Sequence, residues 1–191
     1  MHIERHPLQP FIPEGARLLM LGSFPPARHR WSMDFFYPNF QNDMWRIFGH
    51  LFFADKLHFV DVDAKTFRRE EIISLLTEKG IALYDTAIEV NRTRNTASDK
   101  DLEVVTPTDL DGLIGRMPML ETVVTTGQKA TELFANHFQI PQPKVGESVQ
   151  FTTGGRKIRL WRMPSSSRAY YHMKIERKAE EYSKVLSSLN G

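Results

Sequence analysis

The sequence predicts an α/β fold: a three-layer α/β/α sandwich around a central, mainly parallel sheet. Three observations carry this. Short apolar runs alternate along the chain with segments whose apolar residues recur at helical spacing, the pattern of strands joined by crossover helices. The run Arg17-Leu-Leu-Met-Leu21 stops abruptly at Gly22-Ser23 and enters a loop carrying Pro25 and Pro26, as a strand does when it delivers the chain to a pocket at its carboxyl end. At 191 residues the chain is long enough to bury one sizeable core, so residues 1–191 are expected to form a single domain.

Each element has its own local reason. Arg17 to Leu21 reads as a buried strand. Met44, Trp45, Phe48, Leu51 and Phe52 recur at helical spacing, so a helix starts near Asn42 or Asp43. Thr66 to Lys79 reads as a second helix, with Phe67, Ile72, Ile73 and Leu76 inward and Gly80 closing it. Ile81 to Val90 reads as a strand running into a polar loop, Asn91 to Lys100. Pro107 and Thr108 open a short helix through Ile114. Thr122 to Thr126 is a β-branched strand ending at Gly127, and Lys129 to Phe138 is a helix. Gln150–Thr153 and Lys157–Arg162 flank Gly154-Gly155, a hairpin signal. From Lys174 to Leu189, Ile175, Ala179, Tyr182, Val185, Leu186 and Leu189 share one face of a terminal amphipathic helix.

Composition narrows the chemistry. No apolar run is long enough to span a bilayer, and the first residues carry no signal-peptide apolar region, so a cytoplasmic protein is expected. The absence of cysteine excludes disulfides, thiolate catalysis and thiolate metal sites. The seven histidines show no paired ligand spacing, so a metal-free, cofactor-free mechanism is expected. There is no phosphate-cradling glycine loop and no G-x-S-x-G elbow. The net charge is only +2, yet Arg156, Lys157, Arg159, Arg162, Arg168, Lys174, Arg177 and Lys178 crowd one stretch against the single acid Glu176. A solvated basic face explains such a run. With Ser165-Ser-Ser167 and Tyr170-Tyr171 inside it, a polyanionic partner explains it too.

Two segments carry candidate chemistry. Gly22-Ser23 is either a tight strand-to-loop turn or part of a site. Asn39 and Asn42 precede Trp45, and Asn is a common helix cap. Either amide also suits a pocket, where it orients a water that attacks an already cationic carbon. Phe35, Phe36 and Tyr37 cannot all face one way, so at least one lines or covers the pocket. Flat rings beside amides suit a flat, hydrogen-bonding ligand such as a nucleobase.

These residues resemble the uracil-DNA glycosylase superfamily, nearest its mismatch-specific uracil and thymine-DNA glycosylase and hypoxanthine-DNA glycosylase branches. The resemblance rests on Gly22-Ser23-Phe24-Pro25, then Phe36-Tyr37-Pro38, then Asn42-Asp43-Met44-Trp45, and on Met163-Pro164-Ser165-Ser166-Ser167-Arg168 before the terminal helix. Thr126-Gly127-Gln128-Lys129-Ala130 is a weaker middle match. The resemblance implies a monofunctional, monomeric hydrolase of N-glycosyl bonds that flips a deaminated or mismatched base of the uracil or hypoxanthine class out of DNA in base excision repair. One departure matters: the mismatch-specific branch places a catalytic Asn two residues after its first-loop Gly, where this chain has Phe24.

The hypoxanthine-type branch lacks that Asn and places its functional Asn before the Trp, so the resemblance gives the functional amide to Asn42, with Asn39 as the second candidate and Asp34 and Asp43 as assistants. Gly22, Ser23, Phe24, Phe36 and Tyr37 would hold the base. Ser165 and Ser167 would donate to the departing base, whose delocalised negative charge makes donors at its carbonyls sufficient. Ser166, Arg168, Tyr170 and Lys129 would contact DNA, Arg168 gripping phosphates or filling the emptied stack. Two other readings compete: a catalytically silent nucleic-acid-binding module of the same fold, and a nucleoside hydrolase.

Overall fold

In the computed structural model, which describes residues 2–96 and 98–189, the chain builds a five-stranded sheet flanked by helices and a smaller three-stranded sheet beside it. The elements run β1 (Ile3–Arg5), β2 (Leu18–Gly22), α1 (Met44–Phe53), β3 (Val60–Asp61), β4 (Thr66–Phe67), α2 (Arg69–Lys79), β5 (Ile81–Asp85) and β6 (Ala87–Arg92). They continue with β7 (Leu102–Pro107), α3 (Leu110–Gly115), β8 (Thr122–Thr126), α4 (Gln128–Phe138), β9 (Ser148–Thr153), β10 (Arg156–Met163) and α5 (Ile175–Leu186).

The main sheet has the order β5-β2-β8-β10-β9, and only β9 runs antiparallel to its neighbour. Every residue of β2 and of β5 is buried. Side chains alternate between the faces of a strand, so full burial requires cover on both faces, and this is why these strands read as unbroken apolar runs. Helix α2 packs on β5, α4 on β8 and β2, and α5 on β10, with α1 against α5. The α/β sandwich expected from the sequence is therefore the observed one.

The registers set Gly22 beside Asp85 and Met163 beside Thr126, so four parallel strands end together at one edge of the sheet. The β9–β10 hairpin turns at Gly154 and Gly155, whose φ values of +56° and +76° only glycine adopts freely.

Three expectations need correction. The helix expected from Thr66 begins at Arg69, because Thr66 and Phe67 pair with Val60 and Asp61 in a two-stranded ribbon. The strand expected over 81–90 is two strands. Thr86 breaks it: its backbone N–H and its hydroxyl both donate to the carbonyl of Gly22, turning the chain out of the main sheet. Beyond that bend β6 enters the second sheet, order β1-β6-β7, whose small core is Ala87, Val90 and Leu102 with Phe24 packed against it. Finally, Pro107 ends β7 rather than opening a helix, and α3 starts only at Leu110, where Asp109 Oδ1 accepts the Gly112 N–H at 3.0 Å.

Candidate functional site

A cavity of about 690 Å³ opens at the shared carboxyl edge of the parallel strands. Three segments far apart in sequence converge on it: Gly22–Pro26 after β2, Phe36–Asn42 before α1, and Met163–Ser167 after β10. Of the residues singled out from sequence, Gly22, Ser23, Phe24, Phe36, Tyr37, Asn39 and Asn42 line it. So do Lys129, Ser165, Ser166, Ser167 and Tyr170. Arg168 does not; its Nε donates to Asp43 Oδ1 at 3.1 Å.

The second and last segments are tied together at the start of α1. The Asp43 N–H donates to the Ser166 carbonyl at 2.9 Å. Lys178, buried on α5, donates from Nζ to Asp43 Oδ2 at 3.0 Å and to the Ser167 carbonyl at 3.1 Å. Tyr182 donates from its hydroxyl to the Pro164 carbonyl at 2.7 Å. The expectation that Asp43 assists at the site therefore gives way to a structural role. Asp34 pairs with Arg28 on the exposed surface.

Both amides hold their turns and face the cavity. Asn42 Oδ1 accepts the Met44 N–H at 2.9 Å, and Asn39 Oδ1 accepts the Gln41 N–H at 3.0 Å. Because only the oxygen can accept from a backbone N–H, each side chain's orientation is fixed. Neither Nδ2 has a hydrogen-bond partner among the described residues, which leaves two N–H₂ groups for a ligand. The serine loop is built the same way. Ser165 Oγ accepts the Ser167 N–H and Ser167 Oγ accepts the Ala169 N–H, each at 3.2 Å, so both hydroxyl protons stay available. Ser166 is buried, reaching the cavity from within the loop.

The walls are aromatic. Phe36 packs edge-on against Phe35, and Trp45 Nε1 donates to the Phe36 carbonyl at 3.0 Å. Tyr37 stands in the left-handed region with φ +52°, a strained conformation for a bulky residue, and its hydroxyl reaches within 3.4 Å of Thr126 Oγ1. Burial first, and then the charge of Asp85, raise its phenol well above the ordinary tyrosine range.

Three carboxylates missed in the sequence also line the cavity: Asp85, Asp99 and Glu132. Asp85 closes β5 beside Gly22, and its Oδ2 lies 2.6 Å from His6 Nε2. Asp99 Oδ1 accepts from Ser23 Oγ at 2.7 Å. Burial raises the Asp99 pKa above the ordinary carboxylate value; Asp85 adds to this, while the Ser23 hydrogen bond, Lys129 and Arg92 oppose it. The signal for Asp85 was its place at a strand's carboxyl end, hidden when 81–90 read as one strand. His6 lies in a segment with no motif.

The basic stretch does not form one face. Arg156 donates to the carbonyls of Ile114, Met117 and Pro118, Arg177 pairs with Glu180 and Glu181, and Lys178 is buried. Of that stretch only Arg162 lines the cavity, where it is joined by Lys129 from the first turn of α4 and by Lys100. Among the described residues no group of three or more His, Asp or Glu side chains is placed to hold a metal ion, and no helix is long and apolar enough to cross a membrane.

The sandwich with its site at the strand ends defines the class of α/β fold, and a solved structure shares it. The chain matches, with TM-score 0.66 and 22% identity over 100% of both chains, the solution NMR structure of a protein described as a "putative Uracil DNA glycosylase" from Methanosarcina acetivorans. At that identity the likeness establishes the shared fold. No protein-family model and no curated protein matches the chain.

Proposed function

We propose that this protein is a DNA glycosylase that hydrolyses the N-glycosidic bond of a deaminated base of the uracil or hypoxanthine class. The observation that carries the reading is the convergence of three separated segments on one cavity that combines aromatic walls, free amide and hydroxyl donors, and the basic rim of Lys100, Lys129 and Arg162. A flat base stacks on a ring such as Phe36 or Tyr37, and the rim suits phosphates on either side of it. A small nucleoside has no need of that rim, which favours DNA over a nucleoside hydrolase.

In this reading Asn42, with Asn39 beside it, orients the attacking water or the scissile nucleotide. The Ser165–Ser167 loop donates to the carbonyl oxygens of the leaving base as negative charge develops there. Tyr171 takes the part first given to Arg168, filling the emptied stack. It lies between the lining residues Tyr170 and His172 and is 85% exposed, whereas Arg168 is held by Asp43.

The test is a panel of end-labelled duplexes carrying uracil, hypoxanthine, xanthine or mismatched thymine, scored for alkali-sensitive abasic sites. Release of at least one base supports the reading. Salt-dependent duplex binding without release from any lesion would replace it with the silent binding module. Phe24 favours that second reading, standing where one branch of the resembling family has its catalytic Asn and packing into the second sheet's core.

A further inference from the structure

The buried pair behind the cavity has geometry that the proposed chemistry leaves unused. His6 follows β1, and its backbone N–H donates to the Ile88 carbonyl at 2.8 Å, pinning it beside β6. Its ring lies between Tyr84 and Phe24, at centroid distances of 4.7 and 5.3 Å, and is 2% exposed. The Leu8 N–H donates to Nδ1 at 3.1 Å, so that nitrogen offers a lone pair. The ring proton must then sit on Nε2, which donates to Asp85 Oδ2 at 2.6 Å. A tautomer is thereby locked, and with it the plane of the Asp85 carboxylate.

The other oxygen, Asp85 Oδ1, points to the end of β2. A Cβ on residue 22 would come within 2.7 Å of it, so glycine is needed there. Oδ1 has no hydrogen-bond partner among the described residues, and Asp85 lines the cavity from the sheet side. Asp99, Tyr37 and Tyr84 are the titratable groups around it besides His6.

We propose that His6 is a positioning residue that fixes Asp85 so that Oδ1 accepts the ring N–H on the pairing edge of a bound base. An ionised carboxylate can only accept. It therefore favours a lactam or imide edge, whose ring nitrogen carries a proton, and repels adenine and cytosine, whose corresponding nitrogen is itself an acceptor. The inference rests on the base-binding reading of the cavity and adds the feature of the base that is read.

The experiment measures binding of free uracil and hypoxanthine, and of 3-methyluracil and 1-methylhypoxanthine, to the whole protein by calorimetry. The parent should prefer the N–H bases by about tenfold or more, the range for a hydrogen bond to a charged partner. His6→Phe, which keeps a ring between Tyr84 and Phe24, and Asp85→Ala should bring the ratio close to one. His6→Gln, which restores an N–H donor, should recover most of it. The ratio is its own control, because a general loss of folded protein weakens both ligands alike. A His6→Phe variant with undiminished discrimination overturns the proposal, as does a parent that binds both kinds of base equally or neither. Base release from DNA is scored separately. An active parent without discrimination overturns this inference alone, and an inactive parent with discrimination overturns only the glycosylase chemistry.

Discussion

Lys178 Nζ lies 3.0 Å from Asp43 Oδ2, and the two side chains are 1% and 6% exposed. The pair joins the last helix to the residue just before α1, so the two halves of the candidate site share one buried ionic tie. Burial, aided by the Arg168 charge, lowers the Lys178 pKa against the opposing pull of Asp43, so the ammonium is held in place at a cost in hydration. Asp43 is the better-served partner, also accepting from Arg168.

Breaking this tie from one side should be severe. Lys178→Met leaves a buried carboxylate facing only Arg168, and a loss of about 3–5 kcal/mol is expected in urea unfolding. Adding Asp43→Asn to Lys178→Met should recover part of that loss, because the uncompensated charge goes. A Lys178→Met variant as stable as the parent would refute the assignment of the pair as a structural anchor.

The amides are expected to separate chemistry from capping. Asn42→Ala should slow single-turnover base release by roughly 10²-fold, the scale for one well-placed polar contact in the transition state, while leaving damaged-duplex binding nearly unchanged. Because Asn42 Oδ1 also accepts the Met44 N–H, the same change should cost about 1 kcal/mol of stability. If Asn42→Ala shows only the stability loss and Asn39→Ala abolishes release, the functional amide is Asn39.

How much of this was legible beforehand follows from where each signal resides. Buried parallel strands announce themselves through unbroken apolar runs, and so β2 and the sandwich were readable. Gly22, Asn42 and Ser165 were found because they sit in local patterns next to such runs. His6 and Asp85 were not found, because their meaning is non-local. Asp85 becomes a cavity residue only when Thr86 bends the chain against the Gly22 carbonyl, and His6 reaches Asp85 only when β1 pairs with β6. The basic run from Arg156 to Lys178 misled for the converse reason. Residues adjacent in sequence alternate along β10 and around α5, so they point to different partners.

Asp99 supplies a pH prediction. Its folded pKa lies above the ordinary carboxylate value of 3.8, so the folded state holds the proton more tightly than the unfolded chain does. Stability contributed by Asp99 is therefore lost as pH rises from near 3.8 through the folded value, and the ionised group costs stability at neutral pH. Asp99→Asn retains an oxygen for the Ser23 hydroxyl and removes that cost. It should stabilise the protein by about 1 kcal/mol at neutral pH, a gain that vanishes as the pH approaches 4. Thermal melts of both proteins across that range check it, and an equal difference at both ends would contradict it.

Three surface side chains should fail in three different ways if DNA lies across the cavity. Tyr171 is 85% exposed, so Tyr171→Ala should leave the melting temperature unchanged. It should slow base release from duplex by roughly tenfold, while sparing single strands, which have no stack to refill. Lys129 faces the cavity from the first turn of α4, so Lys129→Ala should weaken duplex binding and reduce the salt slope by about 0.9, the share of one phosphate. Arg168 is half exposed and bonded to Asp43, so Arg168→Ala should cost stability through the buried carboxylate and change the salt slope less than Lys129→Ala does. Duplex and single-strand release rates, with affinities at several salt concentrations, distinguish the three. Equal losses on duplex and single strand for Tyr171→Ala would remove it from the stack-filling role.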